Sequence, residues 1–187
     1  MPKELVSIYG RDNEMYSLSK RPGFLRLYAG KHHVGEKAVS TYVGVRQMSY
    51  TFTTSLGMEF IPKDSHSGAG FLLFQNHRNF LRAEIRMQNQ NRILCVIETI
   101  DGQEKALKTT SIEKGLVEIL FQVEEQLGKI SIVQNEEVRE VVGDIDLRPY
   151  STEYAGGFVG CTMGMYASAY GRETKDYADV AWFAVRK

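Results

Sequence analysis

The sequence predicts an all-β fold, a two-sheet antiparallel β-sandwich, from a period-two alternation of side chains and from turn signals between short strands. The alternation is clearest over 50–60, where even positions are mostly apolar, from Tyr50 to Phe60, and odd positions are small or polar. Successive side chains of a strand point to opposite faces, so this pattern is typical of a strand with one buried face. We therefore expect the even positions of this segment to face the core.

The same alternation recurs over 81–87 and 117–123. Shorter strands are predicted at 24–28, 41–46, 70–74, 93–100, 129–133, 138–142, 162–170 and 177–185. Turn signals such as Asn89-Gln90-Asn91 and Asp101-Gly102 separate several of them. About eleven short strands without a helical period favour a sandwich or a barrel. In the closing strand, Trp182 alternates with Val180 and Ala184, and this pattern predicts a core position for its indole.

Length and charge exclude several classes of protein. The 187 residues carry 23 basic and 23 acidic side chains, so no positive surface for nucleic acid is expected. Two cysteines do not form a disulfide framework, and no apolar run approaches the ~20 residues that cross a bilayer. Without a charged-then-apolar leader, a cytoplasmic location is expected. We predict one domain over residues 1–187.

The sequence lacks the residue sets of familiar catalysts. Sandwich-type glycosidases place two carboxylates on one strand face, but here Glu84 alternates with Arg82 and Arg86, which predicts a neutralised, solvent-facing surface. The Asp144-Ile145-Asp146 segment comes closer, yet Arg148 follows two residues later. Neither cysteine has a histidine at motif spacing, and no Gly-x-Ser-x-Gly elbow occurs. We therefore predict that the chain on its own is not an enzyme.

Two segments are candidate metal ligands. His32, His33 and Glu36 lie close in sequence, although adjacent residues of a strand point apart, and a polar connector between strands explains them better. Asp144 and Asp146, with Glu153, could hold a structural Ca²⁺ through oxygens, or could form a solvated acidic loop. No other cofactor is expected.

Tyr154 and Phe158 flank the Gly156-Gly157 pair at the entrance to a predicted strand. An aromatic ring held out of the core at such a place offers a flat apolar face to the C–H side of a sugar. Ordinary packing beneath the loop is an equally good interpretation, and the residues alone leave both open.

Segments spread along most of the chain, in order, resemble the C-terminal lectin-like domain of glycoside hydrolase family 43 β-xylosidases. The closest agreement is the run from Glu153 to Gly160, followed by Gly164-Met165 and by residues 178–183. The other matching segments are 18–27, 45–47, 50–54, 58–62, 69–71 and 76–80. The chain carries Val159 where that family commonly has Thr, and Thr162 where a second Phe is usual.

The resemblance implies a concanavalin-A-like jelly roll that follows a catalytic five-bladed β-propeller. In that family a loop of the sandwich leans over the propeller's sugar pocket, which places a pocket-wall role on Phe158 with Tyr154 and Gly157. We expect an accessory domain of a β-xylosidase or α-arabinofuranosidase acting on xylo- or arabino-oligosaccharides. The alternative is an autonomous carbohydrate-binding module or lectin, using aromatics and amides near strand ends: Gln75, Asn76, Tyr154 and Phe158. No membrane partner is expected.

Overall fold

Thirteen strands form two antiparallel sheets in the computed structural model, which describes residues 4–63 and 65–187. The predicted domain therefore extends over residues 1–3 and 64, which lie outside the described part. The first strands are β1 (Tyr16–Ser17), β2 (Leu25–Tyr28), β3 (Thr41–Arg46), β4 (Thr51–Phe60), β5 (Gly68–Asn76), β6 (Asn79–Gln88) and β7 (Asn91–Ile100). The others are β8 (Gln103–Ser111), β9 (Val117–Glu124), β10 (Leu127–Gln134), β11 (Glu137–Asp146), β12 (Thr162–Ser168) and β13 (Tyr177–Arg186).

One sheet has seven strands in the order β1-β2-β13-β4-β9-β10-β11, and the other has six in the order β3-β12-β5-β6-β7-β8. The two-sheet antiparallel sandwich confirms the predicted fold class. Helix is confined to one four-residue turn, α1 (Thr152–Ala155), and two short 3₁₀ turns in the described part of the chain. None of these helices could span a membrane.

The core lies between the sheets and contains the inward-facing side chains of both. On β4 the even positions from Phe52 to Phe60 are buried, as the alternation predicts. Tyr50 is an exception, because β4 begins one residue later and the Tyr50 side chain is 78% exposed. Phe121 of β9 packs against Phe52 and, from the opposite sheet, against Phe71.

The outer face of the six-stranded sheet corrects a prediction. Arg82 and Glu84 of β6 are completely buried, not exposed to solvent. Tyr166 of β12 and Tyr170 beyond it both donate hydrogen bonds to Glu84, and His33 from the loop between β2 and β3 contacts Arg82. The loop that the sequence indicated as a polar connector therefore covers this face.

Five connections meet at one end of the sandwich, which we call the loop end. They are the turns β5–β6, β7–β8 and β9–β10, the β3–β4 connection, and the segment 147–161 between β11 and β12. The register explains the meeting, since Arg46, Thr162 and Phe74 are neighbours across three adjacent strands. The predicted site residues lie at this end.

Candidate functional site

The segment 147–161 crosses the loop end and carries Tyr154, Gly157 and Phe158. It begins with a 3₁₀ turn, Arg148–Tyr150, and continues into α1, whose N-cap Ser151 accepts a hydrogen bond from the Tyr154 backbone N–H. Gly156 and Gly157 then take positive φ angles of 72° and 95°. Such angles strain residues with a Cβ, so the glycine pair allows the chain to leave the helix sharply and project the next residue outwards.

Phe158 projects fully into solvent from this loop. Its relative exposure is 106%, and those of Tyr154 and Val159 are 54% and 52%. A phenylalanine is usually buried, and an apolar side chain held in water forgoes roughly 2 kcal/mol of burial free energy. The structure therefore favours the interpretation in which this ring is held out of the core.

Two amides of β5 hold the Phe158 loop. Gln75 Nε2 donates to the Val159 carbonyl oxygen at 3.0 Å and to that of Gly156 at 3.4 Å. Asn76 Nδ2 donates to the Ala155 carbonyl oxygen at 3.2 Å. The sequence indicated both amides as sugar contacts, but their N–H groups are engaged with the loop. They position the loop that carries Phe158.

Tyr154 is tied to the β7–β8 turn. Its hydroxyl donates to Asp101 Oδ2 at 3.3 Å, and the charge of Asp101 raises the pKa of Tyr154. Asp101 itself has a positive φ in the turn before Gly102. This hydrogen bond holds the Tyr154 side chain at the loop end, where Phe158 also lies.

The β3–β4 connection adds two apolar side chains to the loop end. The backbone N–H of Gln47 donates to the Cys161 carbonyl oxygen at 2.9 Å, which brings the connection beside the Phe158 loop. Met48 and Tyr50 are 77% and 78% exposed. The period-two alternation indicated neither residue as part of the site, since it assigned Tyr50 to the core face of β4. The available signal was the presence of two apolar residues among polar ones just before this strand.

The candidate calcium ligands are not gathered around a common centre. Both carboxylate oxygens of Asp146 accept from Arg148, at 2.9 and 2.7 Å, and these hydrogen bonds lower the pKa of Asp146. Asp144 is exposed, and Glu153 lies in the first turn of α1. Within residues 4–63 and 65–187, no three His, Cys, Asp or Glu side chains form a metal-binding group. A calcium ion at Asp146 would have to displace the Arg148 guanidinium, so these three carboxylates do not fit a calcium site.

The Cys161 thiol and the Glu84 carboxylate are buried in the structure. Burial raises the pKa of Cys161 to about 12, and its Sγ–H donates to the Tyr150 carbonyl oxygen at 3.0 Å. Glu84 is fully buried between two guanidiniums. Both groups are buried, whereas the loop end exposes the aromatic side chains of Tyr154 and Phe158.

Known proteins match most of the chain in sequence. The chain is 37% identical over 182 residues to a "Xylosidase/arabinosidase" of Butyrivibrio fibrisolvens, covering 97% of this chain and 35% of that protein. It is 29% identical over 177 residues to the "Non-reducing end alpha-L-arabinofuranosidase BoGH43B" of Bacteroides ovatus, covering 93% of this chain and 33% of that protein. The chain therefore spans about a third of the length of these curated relatives.

The fold is shared with solved structures. The "Bacteroides ovatus Xyloglucan PUL GH43B" structure superposes on the whole chain with a TM-score of 0.95, at 24% identity, and the match covers 37% of that chain. The family model described as "Beta xylosidase C-terminal Concanavalin A-like domain" matches residues 3–186. The chain thus belongs to the family of concanavalin-A-like C-terminal domains of glycoside hydrolase family 43 xylosidases and arabinofuranosidases.

Proposed function

We propose that this chain is the non-catalytic, C-terminal accessory domain of a longer family 43 xylosidase or arabinofuranosidase. Its loop end packs on a catalytic five-bladed β-propeller, and Phe158 forms part of the wall of the propeller's sugar pocket. The observation that carries the proposal is the complete exposure of an aromatic ring on a braced loop. The relatives, about three times as long as the chain, leave room for such a catalytic domain.

The character of the loop end supports docking of another domain. Met48, Tyr50, Phe158 and Val159 all expose more than half of their side chains there. Burying such side chains against a partner gains roughly 25 cal/mol for each Å² of apolar surface removed from water. A rigid sandwich then fixes where the Phe158 ring meets the pocket, which suits a residue that shapes a site.

In this proposal the domain supplies no proton and no nucleophile. A Phe158 ring at the pocket wall excludes water and contacts an apolar face of a short substrate, and the propeller performs the hydrolysis. The domain contributes to the enzyme's specificity for a terminal xylose or arabinose unit. The isolated chain should therefore leave aryl xylosides and aryl arabinofuranosides unhydrolysed.

The test is a substitution in the full-length protein. Phe158→Ala should lower kcat/KM on aryl xyloside or arabinofuranoside about tenfold or more, which corresponds to about 1.4 kcal/mol of lost transition-state stabilisation. Tyr9→Ala is a matched control, because Tyr9 is also an exposed aromatic (49%) but lies near the N-terminus. Equal activity of the wild type and Phe158→Ala, with Tyr9→Ala also unaffected, would reject the pocket-wall role.

An autonomous sugar-binding function at the same loop is the second candidate. The exposure of both Tyr154 and Phe158 favours it, whereas the engagement of Gln75 and Asn76 with the loop removes two of its expected hydrogen-bond donors. Calorimetric titration of the isolated chain with xylo-oligosaccharides tests it. Heat that disappears in the Tyr154→Ala and Phe158→Ala variants supports this function; heat unchanged by both contradicts it.

A further inference from the structure

A β-bulge in β13 reverses the faces of that strand. Val180 pairs with Met58 and Trp182 pairs with Gly57, so Ala181 is an extra residue without a partner on β4. Before the bulge, Ala178 and Val180 are buried in the core. After it, Trp182 points to the outer face of the seven-stranded sheet and is 40% exposed, which corrects the predicted core position.

The indole of Trp182 lies flat on the backbone of Gly57. A Cβ added at Gly57 would come within 2.5 Å of the Cε2 and Cζ2 atoms of the ring and within 2.7 Å of Cδ2. Contact with several ring atoms at once means that one face of the indole rests on the strand. The opposite face is directed away from the sheet, and only glycine in this position leaves room for that arrangement.

Hydrogen bonds fix the edge of the ring. Trp182 Nε1 donates to Ser55 Oγ at 2.7 Å, and the Ser55 hydroxyl donates to Glu118 Oε1. Glu118 lies on β9 directly across from Gly57. Because the indole N–H already has a hydrogen-bond acceptor, the ring is held as a fixed, flat apolar surface. A ligand that binds to it therefore causes little further loss of side-chain entropy.

Charged groups lie beside this surface. Glu59 lies two residues after Gly57 on the same face of β4, and its two carboxylate oxygens accept from Arg21 Nη1 at 2.8 Å and Nη2 at 3.3 Å. Arg21 also contacts Asp179, which Arg26 holds through two hydrogen bonds of 2.8 and 2.9 Å. A dry protein interface depletes charges at its centre, so a rim of paired ions beside one aromatic ring favours a polar ligand with an apolar face.

We infer that Trp182, with Glu118 and Glu59 beside it, is a binding site for a pyranose unit of an oligosaccharide. The C–H face of a pyranose would stack on the open side of the indole, and its hydroxyls would donate to the two carboxylates, each of which has several acceptor positions. The site lies on a sheet face and Phe158 lies on the loop end. It does not rest on the proposed function of Phe158.

The test uses the whole 187-residue chain, whose single tryptophan gives one indole N–H signal in NMR. Titration with xylotriose, and separately with cellotriose, should move that signal saturably, with a Kd of about 1 mM. Trp182→Ala should remove the heat of binding that persists in Phe158→Ala, measured by calorimetry. Gly57→Ala, which lifts or tilts the ring while keeping it, should weaken binding at least about fivefold.

Phe158→Ala separates this site from the loop end, because it should leave the indole response to sugar unchanged. An indole signal that stays fixed up to about 20 mM of either sugar would overturn the inference. So would an indole signal that moves only with protein concentration, which would identify the face as a self-association surface. The wild-type titration decides the matter even if Trp182→Ala fails to fold.

Discussion

Arg82 Nη1 lies 2.6 Å from His33 Nε2, and this contact joins the outer face of the six-stranded sheet to the loop that covers it. The other ring nitrogen, Nδ1, accepts from the Gly35 backbone N–H at 3.1 Å. Both nitrogens of His33 thus face N–H donors. A neutral imidazole has one lone pair and accepts from one of these donors, whereas a doubly protonated imidazolium can accept from neither, so the surroundings of His33 favour the neutral ring.

Stability should fall as the pH drops below neutral, because of His33. Burial lowers its pKa to about 4, and the positive charge of Arg82 adds to this effect. Glu84 and Glu36 act in the opposite direction without overcoming it. Between about pH 6.5 and pH 4 the unfolded chain takes up a proton that the folded chain does not, so the free energy of unfolding decreases as pH falls.

The expected loss is roughly 2 kcal/mol between pH 7 and pH 5, measured by urea unfolding at the two values. His33→Gln should flatten this dependence. His32→Gln is the matched control, since His32 is exposed and pairs with Glu36 at the surface; it should keep the wild-type slope. A slope that persists in His33→Gln would assign the effect to other groups.

Replacement of Glu84 should be far more costly than replacement of the other carboxylate on Arg82. Burial acts to raise the pKa of Glu84, but the Arg82 and Arg86 guanidiniums and two tyrosine hydroxyls outweigh it and hold the pKa below its usual value. Glu84→Gln removes the fully buried carboxylate that faces the buried Arg82 and the partly buried Arg86, which should cost about 3–5 kcal/mol of unfolding free energy.

Glu104 provides the comparison, because it contacts Arg82 Nη2 while its own side chain is half exposed. Glu104→Gln should cost less than about 1 kcal/mol. Chemical denaturation of both variants at neutral pH measures the difference. Similar losses for the two would mean that Glu84 is not the counter-charge on which the buried cluster depends.

Alternation predicted which strands exist better than it predicted what covers their outer faces. The buried even positions of β4 follow from local period two, since each inward side chain meets the opposite sheet. The burial of Arg82 and Glu84 depends on His33, Tyr166 and Tyr170, which are remote in sequence. Nothing in the pattern Arg-x-Glu-x-Arg distinguishes a solvated face from a face closed by distant segments.

Single-residue irregularities were equally hidden from the sequence. The bulge at Ala181 changes the side of the sheet on which Trp182 lies, yet it leaves the apolar-polar sequence looking continuous. Strand β8 was missed because most of its side chains are polar and exposed, so it shows no alternation. The exposed Phe158 was predictable as one of two alternatives, because the glycine pair before it indicated an unusual backbone but not its direction.

Both thiols should be protected in the folded chain. Cys95 and Cys161 are 8% and 7% exposed, and only the thiolate reacts rapidly with disulfide reagents. The raised pKa of Cys161 keeps it protonated at physiological pH. We expect slow reaction with Ellman's reagent at about pH 8 in buffer and rapid release of two equivalents in urea. Rapid reaction of one thiol in the folded chain would show that the structure around that cysteine opens.

The brace of the Phe158 loop should be measurable through Gln75. Gln75→Ala removes the amide that donates to the Val159 and Gly156 carbonyl oxygens, without changing Phe158 itself. We expect faster hydrogen exchange of the backbone amides over 156–160 and a loss of about 1 kcal/mol in unfolding free energy. Gln103→Ala, at an exposed glutamine of β8, is the control and should leave exchange in the loop unchanged.

If Gln75→Ala leaves the exchange rates of residues 156–160 unchanged, the glycine pair and α1 hold the Phe158 loop without the Gln75 amide. If the exchange rates rise, the direction of Phe158 depends on the Gln75 side chain of the neighbouring strand. Gln75→Ala in the full-length protein should then weaken the substrate contact proposed for the Phe158 ring.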